Sequence, residues 1–160
     1  MGIRVAVITV SDGVAQGTRA DESGDLIEEQ LTEEGYAVAE RVVVADEHPA
    51  IVAALRAQVD AGTPLIVTTG GTGFGPRDVT PEATSEVIER PAAGLSELMR
   101  AAGLQHTPLA ALSRGIAGAA GKSLILNLPG SPKGVKESLD AVIEVLPHAL
   151  SLLAGDTRHG

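Results

Sequence analysis

Short apolar runs alternate with amphipathic segments through the first 70 residues. Residues 3–10 (IRVAVITV), 36–45 (YAVAERVVVA) and 64–69 (PLIVTT) are rich in β-branched side chains and nearly free of charge. Such runs are typical of strands that are covered on both faces in a parallel sheet. Residues 24–34 and 50–61 instead place apolar side chains along one side of a helix. The alternation predicts an α/β domain with a mostly parallel, doubly wound sheet.

Local signals give the ends of the helices in this half. Ser23 is a reasonable N-cap and Gly35 a stop signal for the first helix. Pro49 suits the first turn of the second helix, which Gly62 closes. Thr80, followed by Pro and Glu, marks the start of a third helix after the strand at residues 64–69.

The second half of the chain is less regular. Residues 94–102 have a helical pattern, and residues 123–128 (SLILNL) have the pattern of a strand. Residues 109–121 are rich in small side chains and fit neither pattern clearly. Residues 133–154 predict one long helix, interrupted near Pro147.

Composition limits the class of protein. A chain of 160 residues with no internal linker fits one domain, residues 1–160. Apolar residues make up 44% but aromatic residues only 1%, so the core must be built from Val, Ile, Leu and Ala. No apolar stretch is long enough to span a bilayer and no signal peptide is evident, so we expect a cytoplasmic protein without membrane contact. The absence of cysteine excludes disulfides, thiol nucleophiles and thiolate metal sites.

Charge and histidine spacing exclude two further classes. The net charge is −9 and there is no run of Lys or Arg, so nucleic acid is not an expected partner. The four histidines, His48, His106, His148 and His159, form no i, i+4 pair, which argues against a histidine-ligated zinc site. A metal, if one takes part, should be a hard cation bound by carboxylate and phosphate oxygens.

Three loops follow predicted strands and are candidates for the functional site. They are residues 11–21, 70–78 and 129–132. In an open parallel sheet, ligands bind beyond the carboxyl ends of the strands, where the strand order reverses. The loop at 70–78 (GGTGFGPRD) is dense in glycine, so its backbone N–H groups can approach a phosphate closely at the start of a helix. The alternative is that it is merely a tight turn from strand to helix.

Three acids follow three different strands. Asp12, Asp46 and Asp78 would be brought together at one edge of the sheet, where they could hold Mg²⁺ on nucleotide phosphates. Arg77 could neutralise phosphate charge there. For any one of these acids the alternative is a helix cap or a solvated loop carboxylate, and for Arg77 it is a surface salt bridge.

Residues 115–123 (GIAGAAGKS) resemble a Walker A loop but do not fit it. The spacing between the first glycine and Gly-Lys-Ser is wrong, and a strand rather than a helix follows Ser123. We therefore expect no P-loop here and a solvated Lys122 at a strand edge.

Four motifs together indicate a family. They are TVSD at 9–12, TTGGTG at 68–73, LSRG at 112–115 and LILNLPGSPKGVKE at 124–137. In this combination and order the chain resembles the molybdopterin-binding, or Mog/MoaB-type, domain over nearly its whole length. The resemblance implies a three-layer α/β/α sandwich that assembles as a homo-trimer or hexamer.

The resemblance also implies an activity. Adenylyltransferase members of the family use ATP and Mg²⁺ to convert molybdopterin into adenylyl-molybdopterin and pyrophosphate, before a molybdotransferase inserts the metal. Carried over by motif, Asp46 and Asp78 would serve catalysis and hold Mg²⁺. Substrate binding would involve Ser11, Asp12, Thr69, Gly70, Gly71, Thr72, Gly73, Asn127, Pro129, Gly130, Ser131 and Pro132.

Two alternatives remain open from the sequence. A protein of the MoaB branch could bind or carry molybdopterin in the same pocket without adenylating it. A generic nucleotide-binding α/β domain would explain the loops but not the NLPGSP turn at 126–132.

Overall fold

The computed structural model describes residues 2–156 and contains one six-stranded sheet. The strands are β1 (Arg4–Val10), β2 (Ala37–Val44), β3 (Leu65–Thr69), β4 (Arg90–Pro91), β5 (Ala117–Ala120) and β6 (Ser123–Leu128), in the order β2-β1-β3-β6-β5-β4. The pairs from β2 to β6 are parallel, and β5 and β4 add antiparallel pairs at one edge. The predicted mostly parallel sheet is confirmed.

Helices cover both faces of this sheet. They are α1 (Asp12–Ala15), α2 (Glu22–Glu33), α3 (His48–Asp60), α4 (Thr80–Val87), α5 (Ala93–Leu104), α6 (Pro132–Val142) and α7 (Leu146–Leu153), with a 3-10 helix at Pro108–Leu112. Apolar side chains of α2, α5, α6 and α7 pack on one face, and those of α3 and α4 pack on the other. The three-layer sandwich is thus confirmed.

Strand β1 shows why the continuous apolar runs become central strands. Val5 and Val7 point into the core on the α2 and α6 side, while Ile8 and Val10 point into the core under α3. Val5, Val7 and Ile8 are completely buried. Because both faces are covered, alternation of polar and apolar residues would be costly, and the run stays apolar throughout.

The helix boundaries differ from prediction in two places. The N-cap of α2 is Asp21 rather than Ser23, since the Asp21 side chain accepts a hydrogen bond from Gly24 N, while Ser23 Oγ donates to Gly130 O at 2.8 Å. The predicted helix over 133–154 is two helices, α6 and α7. Pro147 lies in the first turn of α7, where its missing N–H costs nothing, so the break precedes it.

The Walker-like segment is a β-hairpin. Antiparallel strands β5 and β6 pair Ala120 with Ser123, and Gly121 and Lys122 form the two-residue turn between them. Gly121 has a φ of 57°, which the first residue of such a turn requires and a side chain disfavours. The exclusion of a P-loop agrees with this geometry, although Lys122 lies in the turn rather than in a strand.

Two further observations concern absences. Within residues 2–156, no helix has the length and apolar character needed to cross a bilayer. Of the four histidines considered above, His159 lies outside the described residues.

Candidate functional site

The loops after β1, β3 and β6 meet at one edge of the sheet. The chain passes from β1 to β2 on one side and returns to β3 on the other, so the strand order reverses between β1 and β3. Gly70 N donates to Leu128 O at 3.2 Å, which joins the second loop to the end of β6. The three candidate loops are therefore contiguous in space.

The glycine loop is shaped by close backbone contacts. Gly70 and Gly71 have φ values of 100° and 69°. A Cβ on Gly70 would lie 2.2 Å from Val10 O, and one on Gly71 would lie 2.3 Å from Thr80 Oγ1. Thr80 holds this shape by donating its Oγ1 to Gly70 O and its backbone N to Gly71 O. Both glycines are thus needed for the fold of the loop itself.

The same loop leaves three backbone donors free. Among the described residues, the N–H groups of Gly71, Thr72 and Gly73 donate to no acceptor, although Thr72 is buried. They precede the N-terminus of α4, where the helix dipole favours negative charge. Unpaired N–H groups at such a place are suited to an anion such as phosphate.

Arg114 holds the loop from the outside. Its side chain donates to Gly73 O at 2.7 Å and to Asp78 O at 2.8 Å, and its backbone N donates to Thr72 O. Its guanidinium lies 5.4 Å from the centre of the Phe74 ring. Our sequence analysis did not assign Arg114 a role, although the LSRG motif that contains it was one of the four family signals.

Asp12 and Arg77 support Asp46. Asp12 Oδ1 accepts a hydrogen bond from Asp46 N at 3.0 Å, and Asp46 Oδ2 accepts one from Asp12 N at 2.9 Å. Arg77 donates to both carboxylate oxygens of Asp12, at 2.8 and 2.9 Å. Arg77 therefore forms the salt bridge that was the alternative to a phosphate contact.

The acids differ in electrostatic environment. Burial raises the pKa of Asp46, and the nearby charges of Asp12 and Asp78 raise it further. Hydrogen bonds from Arg77 lower the pKa of Asp12, and the backbone N–H of Asp46 contributes to the same shift. Negative charge is therefore concentrated around Asp46, a setting in which a cation would be stabilised.

Asp46 and Asp78 each keep a free oxygen. Oδ2 of Asp78 accepts from Gly75 N at 2.9 Å, whereas Oδ1 of Asp78 and Oδ1 of Asp46 accept no hydrogen bond from the described residues. Within residues 2–156, no three His, Asp or Glu side chains form a cluster able to hold a metal on their own. Two carboxylates with substrate phosphates and water are nevertheless a donor set that suits Mg²⁺.

Two cavities flank the glycine loop. The first, here called the carboxylate cavity, has a volume of about 400 Å³. The second, here called the α5–α6 cavity, has a volume of about 340 Å³ and includes Met99, Leu109 and Leu112 in its wall. Both volumes lie in the range of small-molecule sites.

The structure divides the predicted site residues between these cavities. The carboxylate cavity is lined by Ser11, Asp46, Thr69, Gly70, Gly71, Asp78, Gly130 and Pro132, together with Arg19, Asp21 and Glu22. The α5–α6 cavity is lined by Thr72, Gly73, Asn127, Pro129 and Ser131, together with Arg100, Ser113 and Glu137. Asp12 lines neither cavity and contacts Asp46 and Arg77 instead.

Several predicted binding side chains already have partners inside the protein. Asn127 Nδ2 donates to the hydroxyls of Thr68 and Thr84, and its Oδ1 accepts from Ile116 N. Thr69 Oγ1 donates to Pro129 O at 2.7 Å. The hydroxyls of Ser11 and Ser131 accept as N-caps of α1 and α6. These residues form the walls of the cavities, and their side-chain hydrogen bonds stabilise the loops.

Comparison with known proteins gives a consistent match. The family described as "probable molybdopterin binding domain" matches residues 6–148. The chain is 42% identical over 157 residues to a molybdopterin adenylyltransferase of Helicobacter pylori, covering 96% of this chain and 89% of that protein. It is also 42% identical to a molybdenum cofactor biosynthesis bifunctional protein of Synechococcus elongatus, covering 99% of this chain but 50% of that protein.

Solved structures agree. The crystal structure of the molybdopterin biosynthesis enzyme MoaB from Thermus thermophilus superposes with a TM-score of 0.91 at 55% identity, covering 96% of this chain and 97% of that one. The Mog protein of Mycobacterium ulcerans superposes with a TM-score of 0.90 at 42% identity, covering 97% and 99% of the two chains. The chain thus spans nearly all of these proteins, but half of the Synechococcus relative and 26% of the cinnamon protein of Drosophila melanogaster.

Proposed function

This chain belongs to the family of probable molybdopterin binding domains, and from that premise we propose that it is a molybdopterin adenylyltransferase. It would transfer AMP from ATP to the terminal phosphate of molybdopterin, in molybdenum cofactor biosynthesis. The name of the Helicobacter pylori relative, which this chain matches over 89% of that protein, supports this activity.

One observation of the structure carries the proposal: two cavities of different chemistry meet at one glycine loop. The carboxylate cavity contains Asp46 and Asp78 and suits nucleotide phosphates accompanied by a cation. The α5–α6 cavity presents Met99, Leu109 and Leu112 with a few polar groups, which suits a flat pterin ring. Gly71 lines the first cavity and Gly73 the second, with Thr72 beside it, so reacting phosphates in the two cavities would meet at this loop.

The reaction is a substitution at the α-phosphorus of ATP. An oxygen of the molybdopterin phosphate attacks that phosphorus and forms a new P–O bond, while the bond between the α-phosphorus and the bridging oxygen to the β-phosphate breaks. Pyrophosphate leaves with the electron pair. No covalent enzyme intermediate is needed, since positioning and charge stabilisation account for most phosphoryl-transfer catalysis.

The residues of this chain would orient the two substrates. The free N–H groups of Gly71, Thr72 and Gly73 would bind phosphate oxygens at the point of reaction. Asp46 and Asp78 would hold Mg²⁺ through their free oxygens, and Mg²⁺ would supply neutralisation of phosphate charge. Asp12 and Arg77 would keep Asp46 in place.

The proposal is tested by following label from ATP marked at the α-phosphate into adenylyl-molybdopterin. We expect transfer by the unchanged protein with Mg²⁺, and a loss of at least about 100-fold in Asp46→Asn and Asp78→Asn. Arg56→Gln is a matched control because Arg56 is half-exposed on α3 and lines neither cavity. Tight molybdopterin binding with no transfer under any divalent metal would instead support the non-catalytic carrier of the MoaB branch.

The two acids favour the enzyme over the carrier. Asp46 and Asp78 near an anionic ligand would repel it unless a cation were bound with it. A protein that only binds molybdopterin gains nothing from that arrangement. A generic nucleotide-binding domain is less suitable still, because it leaves the α5–α6 cavity without an occupant.

We also propose a homo-oligomer, a trimer or hexamer, and delivery of the product to a molybdotransferase. Leu98 and Leu104 on α5 are 43% and 48% exposed, and Leu109 and Leu112 on the adjoining 3-10 helix are 69% and 53% exposed. Exposed large apolar side chains on neighbouring elements support a contact between copies. Light scattering coupled to size-exclusion chromatography measures the mass, and a monomer at micromolar concentration would contradict the oligomer.

A further inference from the structure

Arg19 is a basic residue in the wall of an otherwise acidic cavity. Of the described residues that line the carboxylate cavity, Arg19 is the one Lys or Arg, and Asp21, Glu22, Asp46 and Asp78 line it too. Arg41 contacts Asp21 from outside the cavity, at 2.7 Å. The guanidinium of Arg19, by contrast, makes no hydrogen bond or ion pair with any residue that the structure describes.

The position of Arg19 is nevertheless built into the loop. The backbone N–H groups of Thr18 and Arg19 both donate to Gly13 O, at 2.9 and 3.2 Å, so the chain folds back over the start of α1. The side chain of Arg19 then lies across Gly13. A Cβ at Gly13 would be 2.7 Å from Arg19 Cδ and 3.0 Å from Arg19 Cγ. The absence of a side chain at Gly13 thus creates the space in which the arginine stem lies.

A positioned arginine without a protein partner is suited to an anion from solution. Its planar group of five donors matches phosphate oxygens, and two of its N–H groups can bind one phosphate together. The anion expected in this cavity is the phosphate tail of ATP, whose charge exceeds what one divalent cation neutralises. The phosphate of molybdopterin would instead arrive through the α5–α6 cavity, which Arg19 does not line.

We propose that Arg19 binds the β- and γ-phosphates of ATP and that Gly13 is the positioning residue that directs it there. This inference rests on the proposed function. When the bond between the α-phosphorus and the bridging oxygen breaks, that oxygen takes the electron pair and the departing pyrophosphate gains negative charge. Arg19 stabilises this charge as it develops, so it serves both binding and leaving-group departure.

The experiment compares two ligands that differ in the contact to Arg19. Titration calorimetry measures binding of Mg²⁺-pyrophosphate and of AMP to the full chain and to Arg19→Gln and Arg19→Lys. Loss of one charge-assisted phosphate contact should weaken pyrophosphate binding about tenfold or more in Arg19→Gln and leave AMP binding within about twofold. Arg19→Lys should restore part of the affinity, and the control Arg56→Gln should change neither.

Gly13→Ala tests the positioning step. The new methyl group should push the stem of Arg19 aside and weaken pyrophosphate binding without removing the arginine. In the Arg19→Gln background, Gly13→Ala should then cause little further loss, because the two changes act on one contact. Circular dichroism and thermal unfolding establish that each variant is folded before its affinities are compared.

Three outcomes would overturn the inference: unchanged pyrophosphate affinity in Arg19→Gln, equal weakening of pyrophosphate and AMP, or full additivity of the two substitutions. These measurements need neither molybdopterin nor catalysis. Arginine-dependent pyrophosphate binding without label transfer would therefore refute the adenylyltransferase while leaving the phosphate site intact. Label transfer that is insensitive to Arg19→Gln would do the reverse.

Discussion

Asp12 and Asp46 exchange hydrogen bonds, each backbone N–H donating to the carboxylate of the other at 2.9 and 3.0 Å. This reciprocal pair ties the loop after β1 to the loop after β2. One oxygen of each acid is fixed by the pair. The direction in which Asp46 faces the carboxylate cavity therefore depends on Asp12, which does not itself line that cavity.

Substitutions of Asp12 should lower activity through Asp46. Asp12→Asn can keep the acceptor for Asp46 N but loses the paired contact to Arg77, whereas Asp12→Ala loses both. We expect adenylyl transfer to fall about tenfold in the first variant and about 100-fold in the second, the range for residues that orient a metal ligand. Steady-state rates measured against Mg²⁺ concentration check this, and equal losses in the two variants would contradict it.

Asp46→Asn should stabilise the protein at neutral pH in the absence of metal. The pKa of Asp46 is raised in the fold, so the ionised carboxylate is disfavoured there, and stability is lost as pH rises through the carboxyl range. The variant should gain less than about 1 kcal/mol at pH 7, because the site is partly exposed to solvent. The gain should vanish below pH 3.8, the ordinary value for this group, where it is protonated in both states.

Urea unfolding in a chelator at both pH values measures this difference. The Asn side chain keeps an acceptor for Asp12 N, so a loss of stability at pH 7 would mean that the carboxylate charge is favourable in the fold, contrary to the prediction.

Gly70→Ala should be far more costly than Gly17→Ala. Both glycines have positive φ, but a Cβ on Gly17 would meet nothing within 4 Å, whereas one on Gly70 would meet Val10 O. Gly17→Ala therefore reports the backbone cost alone, about 1 kcal/mol. Gly70→Ala adds a collision with a buried backbone carbonyl, and we expect roughly 2–4 kcal/mol in total. Denaturant midpoints check both values, and similar costs would show that the loop can move away from β1.

Asn127→Ala should reduce stability, because the amide makes three buried hydrogen bonds. The substitution leaves Ile116 N and two threonine hydroxyls without that partner, and the expected cost is about 2 kcal/mol or more in the free energy of unfolding. Pyrophosphate affinity of the folded variant should remain unchanged, because Asn127 does not line the carboxylate cavity. A loss of that affinity with normal stability would contradict the assignment.

Tyr36→Phe should have the opposite effect on stability. The residue is 8% exposed, and its hydroxyl is buried without a hydrogen-bond partner among the described residues. Removing an unpaired buried hydroxyl should raise the free energy of unfolding by about 1 kcal/mol. Thermal unfolding at pH 7 checks the direction, and a lower midpoint would mean that the hydroxyl has a partner in solution.

The sequence predicts those elements that are stabilised by their own side chains. Strands β1, β3 and β6 are continuous apolar runs, so their burial on both faces follows from composition. Strand β5 (Ala117–Ala120, AGAA) has small residues of weak preference, and β4 (Arg90–Pro91) has two residues. These strands form because a neighbour is available for pairing, and a local pattern carries no record of that neighbour.

The same reasoning applies to the site. Glycine density predicted a phosphate loop, but not that the loop would separate two cavities, because that separation follows from how the loop packs against Val10 and Thr80. The contacts of Arg114 to Gly73 and Asp78 span 41 and 36 residues, and no spacing rule connects them. Arg19 depends on the fold of its loop over Gly13, a contact that a lone arginine in a polar loop does not announce.

The wall between the two cavities consists of backbone, and this has a kinetic consequence. If the pterin and the nucleotide enter from opposite sides of residues 70–73, neither blocks the entry of the other. Substrate addition should then be random in order rather than compulsory. Pyrophosphate should inhibit competitively against ATP and non-competitively against the pterin substrate, because it occupies one side of the wall alone.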